Sequence, residues 1–377
     1  MGYAELSPER LLELGFAAPE VTGSAWSVRW DAEGPAAAEL WSGTPPTVDF
    51  HTSGSTGPSR SWRRLRENLW LEAGMLADLV APDEPEAAVC FAPPTHIYGA
   101  LASVLVPARL GVPAWYRSTF FGAMPDVGRG RVVVVATPWI FTLLLQHLDW
   151  VRGLEHVTVL YGSAMLPATA GEFLREAGPG RARIVEVLGS TEAGGIASRC
   201  WREGAPPAWT LFPDVSFAGP AAAGSGTEDD EVPLVVTSPR LAFKPGQPPL
   251  STWEADDRIR PLDHRTFRLT GRTGRLVKVN GRRINLDEAE YSLRAVLACA
   301  DLALVPISDQ MIGEHVELLI VPNDGTELSD LDLSAAFAQL GVRPKSVRAV
   351  PRIHRSALGK LRQGRAPETD NAEVVTG

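Results

Sequence analysis

The sequence predicts an α/β fold: a large N-terminal domain of mixed α/β layers with a β-rich subdomain, followed by a small α+β C-terminal domain. Three observations predict it. Between residues 132 and 188, short β-branched runs alternate with helical stretches, the pattern left by βα units. The strands of that alternation are continuously apolar, which marks a sheet covered on both faces. Strand and helix patterns then restart beyond residue 272, after a stretch rich in strands, Gly and Pro.

In order along the chain, Val132 to Ala136 reads as a buried strand, Pro138 to Leu148 as a helix, and His156 to Leu160 as the next strand. Pro167 to Glu176 is a second helix and Ile184 to Leu188 a third strand. From Pro206 to Lys244 come strands and Gly/Pro-rich turns, including the run Val232 to Thr237 and an acidic loop ending at Glu231. Past Arg272 the reading is strand Leu276 to Val279, turn Asn280-Gly281 and helix Asp287 to Leu297. Strands Leu302 to Ile307 and Val316 to Val321 and a helix Leu333 to Leu340 follow. Residues 1–271 are therefore assigned to the N-terminal domain, 272–365 to the C-terminal domain, and 366–377, with few large apolar side chains, to a disordered tail.

A chain of 377 residues, 45% apolar, is long enough to bury a sizeable core. Its formal charge of −9 argues against nucleic acid as a partner, because affinity for phosphate backbones rests on clustered Lys and Arg. Cys90, Cys200 and Cys299 are too scattered for a disulfide framework or a zinc site, and each is expected as a small buried apolar residue in a reducing cytoplasm. The acid-bearing N-terminus does not read as a secretory signal. The longest apolar stretch, Val132 to Leu145, is too short for a bilayer crossing and is interrupted by Pro138, so no membrane association is expected.

The most informative segment is Asp49 to Arg60. Gly54 and Gly57 allow backbone N–H groups to converge on an anion, and Ser53, Ser55 and Thr56 add hydroxyl donors. It does not follow the G-x-x-x-x-G-K-[ST] pattern. Alone, it reads either as a polyphosphate loop or as a solvated turn.

Four further segments decide between them: Val159 to Pro167 (VLYGSAMLP), Val187 to Gly195 (VLGSTEAGG), Leu269 to Glu290 (LTGRTGRLVKVNGRRINLDEAE) and Arg355 to Arg362 (RSALGKLR). With Thr52 to Gly57 (TSGSTG), and in this order, they resemble the core motifs of the adenylate-forming superfamily of acyl- and aryl-CoA synthetases, nonribosomal peptide adenylation domains and luciferases. The resemblance spans roughly residues 49 to 365. It implies a large AMP-binding domain with a mobile C-terminal lid, and a two-step reaction. A carboxylate attacks the α-phosphate of ATP to give an acyl adenylate and pyrophosphate, and a thiol of CoA or of phosphopantetheine then takes the acyl group.

By the same resemblance, Thr52, Ser53, Gly54, Ser55, Thr56 and Gly57 hold the β- and γ-phosphates, with Arg60 where the family has lysine; its planar fork differs from a compact ammonium. Glu192, after Gly189 and Ser190, matches the Mg2+-binding glutamate, and Thr191 the hydroxyl facing the α-phosphate. Gly162, Ser163 and Ala164 match the segment lining the base and the acyl group, while Leu188 stands where the family has an aromatic residue. Asp257 aligns with the aspartate that accepts the ribose hydroxyls, preceded by Asp256 in place of glycine, and Arg272 with the arginine that reaches the ribose. Lys360 matches the lysine inserted beside the substrate carboxylate and the α-phosphate. Lys278, Asn280 and Gly281 match the face presented for thiol transfer, and Gly274 occupies the hinge position.

His96, with Gly99, resembles the acyl-pocket histidine of acyl- and aryl-CoA synthetases, although a structural histidine is the alternative. Amino-acid-activating members carry an aspartate in this motif, and none occurs between Phe91 and Gly99. An unpaired ammonium in a closed pocket is costly, so the expected substrate is a small carboxylic acid, fatty or aromatic, without an α-amino group. The region before the phosphate loop is shorter than is usual in the family, which leaves CoA and an acyl or aryl carrier protein both open as acceptor partner. Two other readings stay open: transfer to an amine or other nucleophile, and an inactive nucleotide-binding homologue or partner subunit.

Overall fold

The computed structural model describes residues 2–52, 60–119, 122–162, 166–222, 231–272, 275–279, 282–294, 296–309, 313–340, 343–355, 361 and 374–376. Its centre is a parallel run of five strands in the spatial order 114–116, 87–90, 131–136, 156–162, 182–190. The predicted alternation is thus realised, with helices Pro138–Gln146 and Ala168–Ala177 as crossovers.

Alternation of side chains across the sheet explains why these strands are apolar without a break. Val133 and Val135 enter one core, together with Leu69, Ala73 and Leu76 of the helix Arg66–Val80. Val132 and Val134 enter the other, against Ile140, Phe141 and Phe173. Neither face meets water. Each fully buried Val contributes about 1.5–3 kcal/mol over an exposed one, so a polar residue at any of these positions would be strongly disfavoured.

The β-rich part lies where the sequence puts it, and its strands extend this same sheet. Strand Gly194–Trp201 turns back antiparallel to Ala182–Ser190, and strands 209–211, 266–272, 253–261, 232–237 and 216–217 follow outward; with strands 26–28 and 4–6 beyond 114–116 at the other edge, the sheet has thirteen strands among the described residues. Toward the C-terminus, strands 301–309, 313–321, 346–349 and 374–376 form a sheet of their own, so that three residues of the segment expected to be a disordered tail pair with 346–348 instead. Leu302, Leu304, Leu318 and Ile320 of this sheet pack against Leu286 and Leu293 of the helix Leu286–Arg294. That helix is shorter than expected, and a turn beyond it carries buried Leu297 into the core.

The expectation for the cysteines is also corrected. Cys90 is buried, but Cys299 is only partly so and Cys200 is exposed. Strand alternation accounts for Cys200, since it sends the neighbouring Trp201 into the core and the cysteine to the opposite face. Among the described residues, no helix is long and apolar enough to cross a membrane.

A buried polar cluster beneath the sheet gives the fold a pH dependence. Asp83, 8% exposed, accepts hydrogen bonds from Thr158 Oγ1 at 2.5 Å and Arg183 Nε at 2.7 Å, with His156 Nε2 at 3.6 Å. Burial pushes the Asp83 carboxyl up, but the bonds from Thr158 and Arg183 outweigh it and hold the group below its ordinary value of 3.8. Burial also pushes His156 below its ordinary 6.5, against the pull of Asp83. Both depressions act in one direction: the folded state resists protonation that the unfolded chain accepts, so stability is complete above pH 6.5 and is lost toward acid. Thermal melts should fall as His156 is forced to charge below pH 6.5, and again below pH 3.8 as Asp83 protonates. Asp83→Asn should remove the lower step; an unchanged profile in that variant would show that Asp83 does not carry it.

Candidate active site

His96, Gly99, Gly162, Gly189, Ser190, Thr191 and Glu192 lie at or just beyond the carboxyl ends of the parallel strands, where open α/β sheets place their ligands. Strand 87–90 leads to His96, strand 156–162 ends at Gly162, and strand 182–190 ends at Gly189 and Ser190. Gly162 stands in register with Val187 on the neighbouring strand. Thr191, Glu192 and Ala193 form the tight turn into the strand Gly194–Trp201. Gly194 has φ +73°, the left-handed value that closes a three-residue hairpin loop.

The acyl-site candidates are drawn together by a residue the sequence reading passed over. Tyr98 donates its hydroxyl to the Leu160 carbonyl at 2.7 Å and lies 3.2 Å from that of Ala136, locking the helix start after His96 onto two strand ends. Burial holds its phenol well above the usual range, so it stays neutral and acts as a donor. A Cβ at Gly162 would lie 2.8 Å from the Tyr98 ring, and one at Gly99 would lie 2.0 Å from the Pro93 carbonyl oxygen. Both glycines are therefore spatial requirements. His96 is partly exposed, and its backbone N–H donates to Pro93 O at 3.1 Å.

The candidate phosphate segment falls between two antiparallel strands, Thr47–Thr52 and Arg60–Leu65, whose register sets Thr52 opposite Arg60. Asp49 and Arg63 brace the hairpin through two hydrogen bonds of 2.7 and 2.8 Å, and the Arg63 guanidinium holds the Asp49 carboxyl below its usual range. Ser53, Gly54, Ser55, Thr56 and Gly57 lie outside the described residues, as do Ser163, Ala164, Gly274, Asn280, Gly281 and Lys360. Arg272 and Lys278 are described through their backbones, Arg272 directly opposite Asp257 and Lys278 opposite Arg283. The two ribose candidates thus sit on paired strands.

The hairpin and the Thr191–Glu192 turn are tied together by buried charges. Arg64 Nη1 donates to the Thr191 carbonyl at 3.2 Å, and its Nη2 to Glu72 Oε2 at 2.9 Å. Glu72 Oε1 accepts the Gly195 N–H at 2.6 Å, and Arg240 Nη1 lies 2.9 Å from Glu72 Oε2. Arg240 also reaches the Gly195 carbonyl at 2.9 Å and grips Asp214 at 2.6 and 2.9 Å. Both arginine side chains are wholly buried and Glu72 is 2% exposed.

Burial opposes the charge of each guanidinium. It prevails at Arg64, while at Arg240 two carboxylates, Glu72 and Asp214, more than offset it. A guanidinium stays protonated in either case. The Glu192 carbonyl accepts the Ala242 N–H at 2.7 Å, and strand Arg60–Leu65 exchanges two hydrogen bonds between Arg63 and Phe243. Residues 240–243 therefore bridge the two motifs.

Among the described residues, no three His, Cys, Asp or Glu side chains gather to form a metal site. Glu192 is a single hard oxygen donor, which suits Mg2+ carried in on phosphates better than a cation held by protein alone.

Comparison with known proteins agrees with this geometry. Residues 15–224 match the AMP-binding enzyme family. A 4-coumarate–CoA ligase of Cereibacter sphaeroides is 32% identical over 171 residues, covering 44% of this chain and 40% of that protein. One from Halorhodospira halophila is 26% identical over 334 residues, covering 83% and 74%. The chain thus spans less than half of the first relative and about three quarters of the second. ATP-bound MatB from Rhodopseudomonas palustris superposes with a TM-score of 0.65 at 20% identity, over 84% of this chain and 66% of that one. The o-succinylbenzoate CoA synthetase of Bacillus subtilis, in complex with its acyl-adenylate intermediate, gives 0.65 at 16%, over 86% and 69%. With the motif order, the strand-end site and a family match over more than half its length, the chain belongs to the AMP-binding enzyme family and has the adenylate-forming fold.

Proposed function

We propose that this protein activates a carboxylic acid with ATP as an acyl adenylate and passes the acyl group to a thiol. The observation that carries the reading is the joining of the phosphate hairpin to the Thr191–Glu192 turn through Arg64 and residues 240–243. A loop for the β- and γ-phosphates and a hydroxyl and carboxylate for the α-phosphate are useful only if they face one nucleotide.

A substrate carboxylate oxygen attacks the α-phosphorus, the bond from that phosphorus to the β-bridging oxygen breaks, and pyrophosphate leaves. The nucleophile and its target are both anionic, so the chain must hold them in line and neutralise charge. Ser53, Ser55, Thr56 and the amides of Gly54 and Gly57 grip the leaving pyrophosphate, with Arg60 at the loop end. Thr191 hydrogen-bonds the α-phosphate, Lys360 neutralises the forming P–O bond, and Asp257 with Arg272 holds the ribose. Glu192 would hold Mg2+, which would supply Lewis-acid charge neutralisation at the phosphates. In the second step the thiol sulfur attacks the acyl carbon, AMP departs with the carboxylate oxygen, and Gly274 is the pivot that brings Lys278 to the site.

The relatives named for 4-coumarate, together with the absence of an aspartate beside His96, support an aromatic or fatty acid without an α-amino group. The acceptor is CoA or the phosphopantetheine of a carrier protein, in the cytoplasm. Pyrophosphate release should be measured with a panel of aryl, fatty and amino acids, then with CoA and with a phosphopantetheinylated carrier protein. Release with aryl or fatty acids and thioester formation are expected; release with amino acids alone would reject the assigned substrate class, and a silent panel would favour an inactive homologue.

A further inference from the structure

The geometry points to Glu72, clamped between Arg64 and Arg240, as the positioning residue of the Thr191–Glu192 turn, fixing where the phosphate-facing hydroxyl and the metal-binding carboxylate stand. The inference rests on the adenylation reading above and assigns to it four residues, Arg64, Glu72, Asp214 and Arg240, that carry no motif.

The turn is held from outside at nearly every backbone group that matters. Arg64 takes the Thr191 carbonyl, Ala242 N–H takes that of Glu192, and Ser190 Oγ accepts the Ala193 N–H at 3.1 Å. Glu72 takes the Gly195 N–H while Arg240 takes the Gly195 carbonyl. The grips of Arg64, Glu72 and Arg240 come from a strand, a helix and a loop that are distant in sequence, and Glu72 is the carboxylate that both arginines face. A Cβ at Gly194 would lie 2.4 Å from Glu72 Oε2, 2.6 Å from Arg64 Nη2 and 2.9 Å from Arg240 Nη1. Cluster and turn are therefore packed against each other directly.

The use of buried charge for this purpose is informative. A packed apolar cluster would hold the strands as well and avoid desolvating ions, but it has no donors or acceptors to take backbone groups at fixed positions. Two cations and two carboxylates leave the cluster without excess charge. Arg64 also lies close enough to feel the Glu192 carboxylate electrostatically. Groups that orient a metal-binding side chain commonly govern metal affinity or activity by about 10- to 100-fold when removed.

The test separates positioning from mere stability. The double variant Arg64→Met/Glu72→Gln removes one charge of each sign and leaves the Arg240–Asp214 pair, so it should fold and melt near the wild type. It is expected to weaken binding of Mn2+·ATP, followed by Mn2+ paramagnetic resonance, by about tenfold or more, and to lower the rate of acid-dependent ATP–pyrophosphate exchange by a similar factor. Asp214→Asn, at a side chain that is 20% exposed, should fold and move both quantities in the same direction by a smaller factor. Folded variants with wild-type Mn2+·ATP affinity and exchange rate would overturn the inference. Wild-type protein that exchanges pyrophosphate with no acid would instead overturn the adenylation reading and this inference with it.

Discussion

Lys360→Ala should lower the rate of adenylate formation by about 100- to 1,000-fold, the range lost when one preorganised group that stabilises transition-state charge is removed, while ATP affinity changes little. The asymmetry follows from the role. An ammonium that meets negative charge only as the carboxylate closes on the α-phosphorus stabilises the transition state more than the bound nucleotide. Single-turnover measurement of acyl-AMP, with ATP binding measured in parallel, checks both halves of the claim. Normal turnover would reject Lys360 as the group beside the reacting phosphate, and parallel losses of binding and rate would make it a ground-state binder.

The second large effect is on folding. Glu72→Leu takes from the Arg64 guanidinium, which is 0% exposed, the carboxylate it is paired with and strips Arg240 of one of its two. Breaking a buried pair by removing one member costs about 3–5 kcal/mol, far more than removing both. The single variant should therefore melt well below both the wild type and Arg64→Met/Glu72→Gln, in which the charges leave together. Equal melting of the single and double variants would show that Arg64 does not depend on Glu72 for its burial.

Much of this was legible in the sequence because the signals are local. Val132 to Ala136 shows a two-sided buried strand through its composition alone, and the ordered motifs from Thr52 to Gly57 and from Val187 to Gly195 show the family. What was not legible depends on long-range pairing. Gly194–Trp201 joins the outer strands to the central sheet, and no periodicity within those strands says which edge they meet. Arg64 finds the Thr191 carbonyl 127 residues away, and Glu72 finds Gly195 across 123. One trace was present: Glu72 falls beside Leu69, Ala73 and Leu76 on the apolar stripe of its helix. A carboxylate there needs a buried partner. Nothing nearby in the sequence named Arg240, which arrives from a loop beyond the strand 232–237.

The central claim is that a carboxylate oxygen of the substrate becomes bonded to the α-phosphorus of ATP. Supplying the acid with 18O in its carboxylate and analysing the products of a complete turnover by mass spectrometry tests it most directly. The account predicts one 18O atom in AMP, carried there when the thiol displaces the nucleotide at the acyl carbon. Label appearing in inorganic phosphate, with none in AMP, would contradict it.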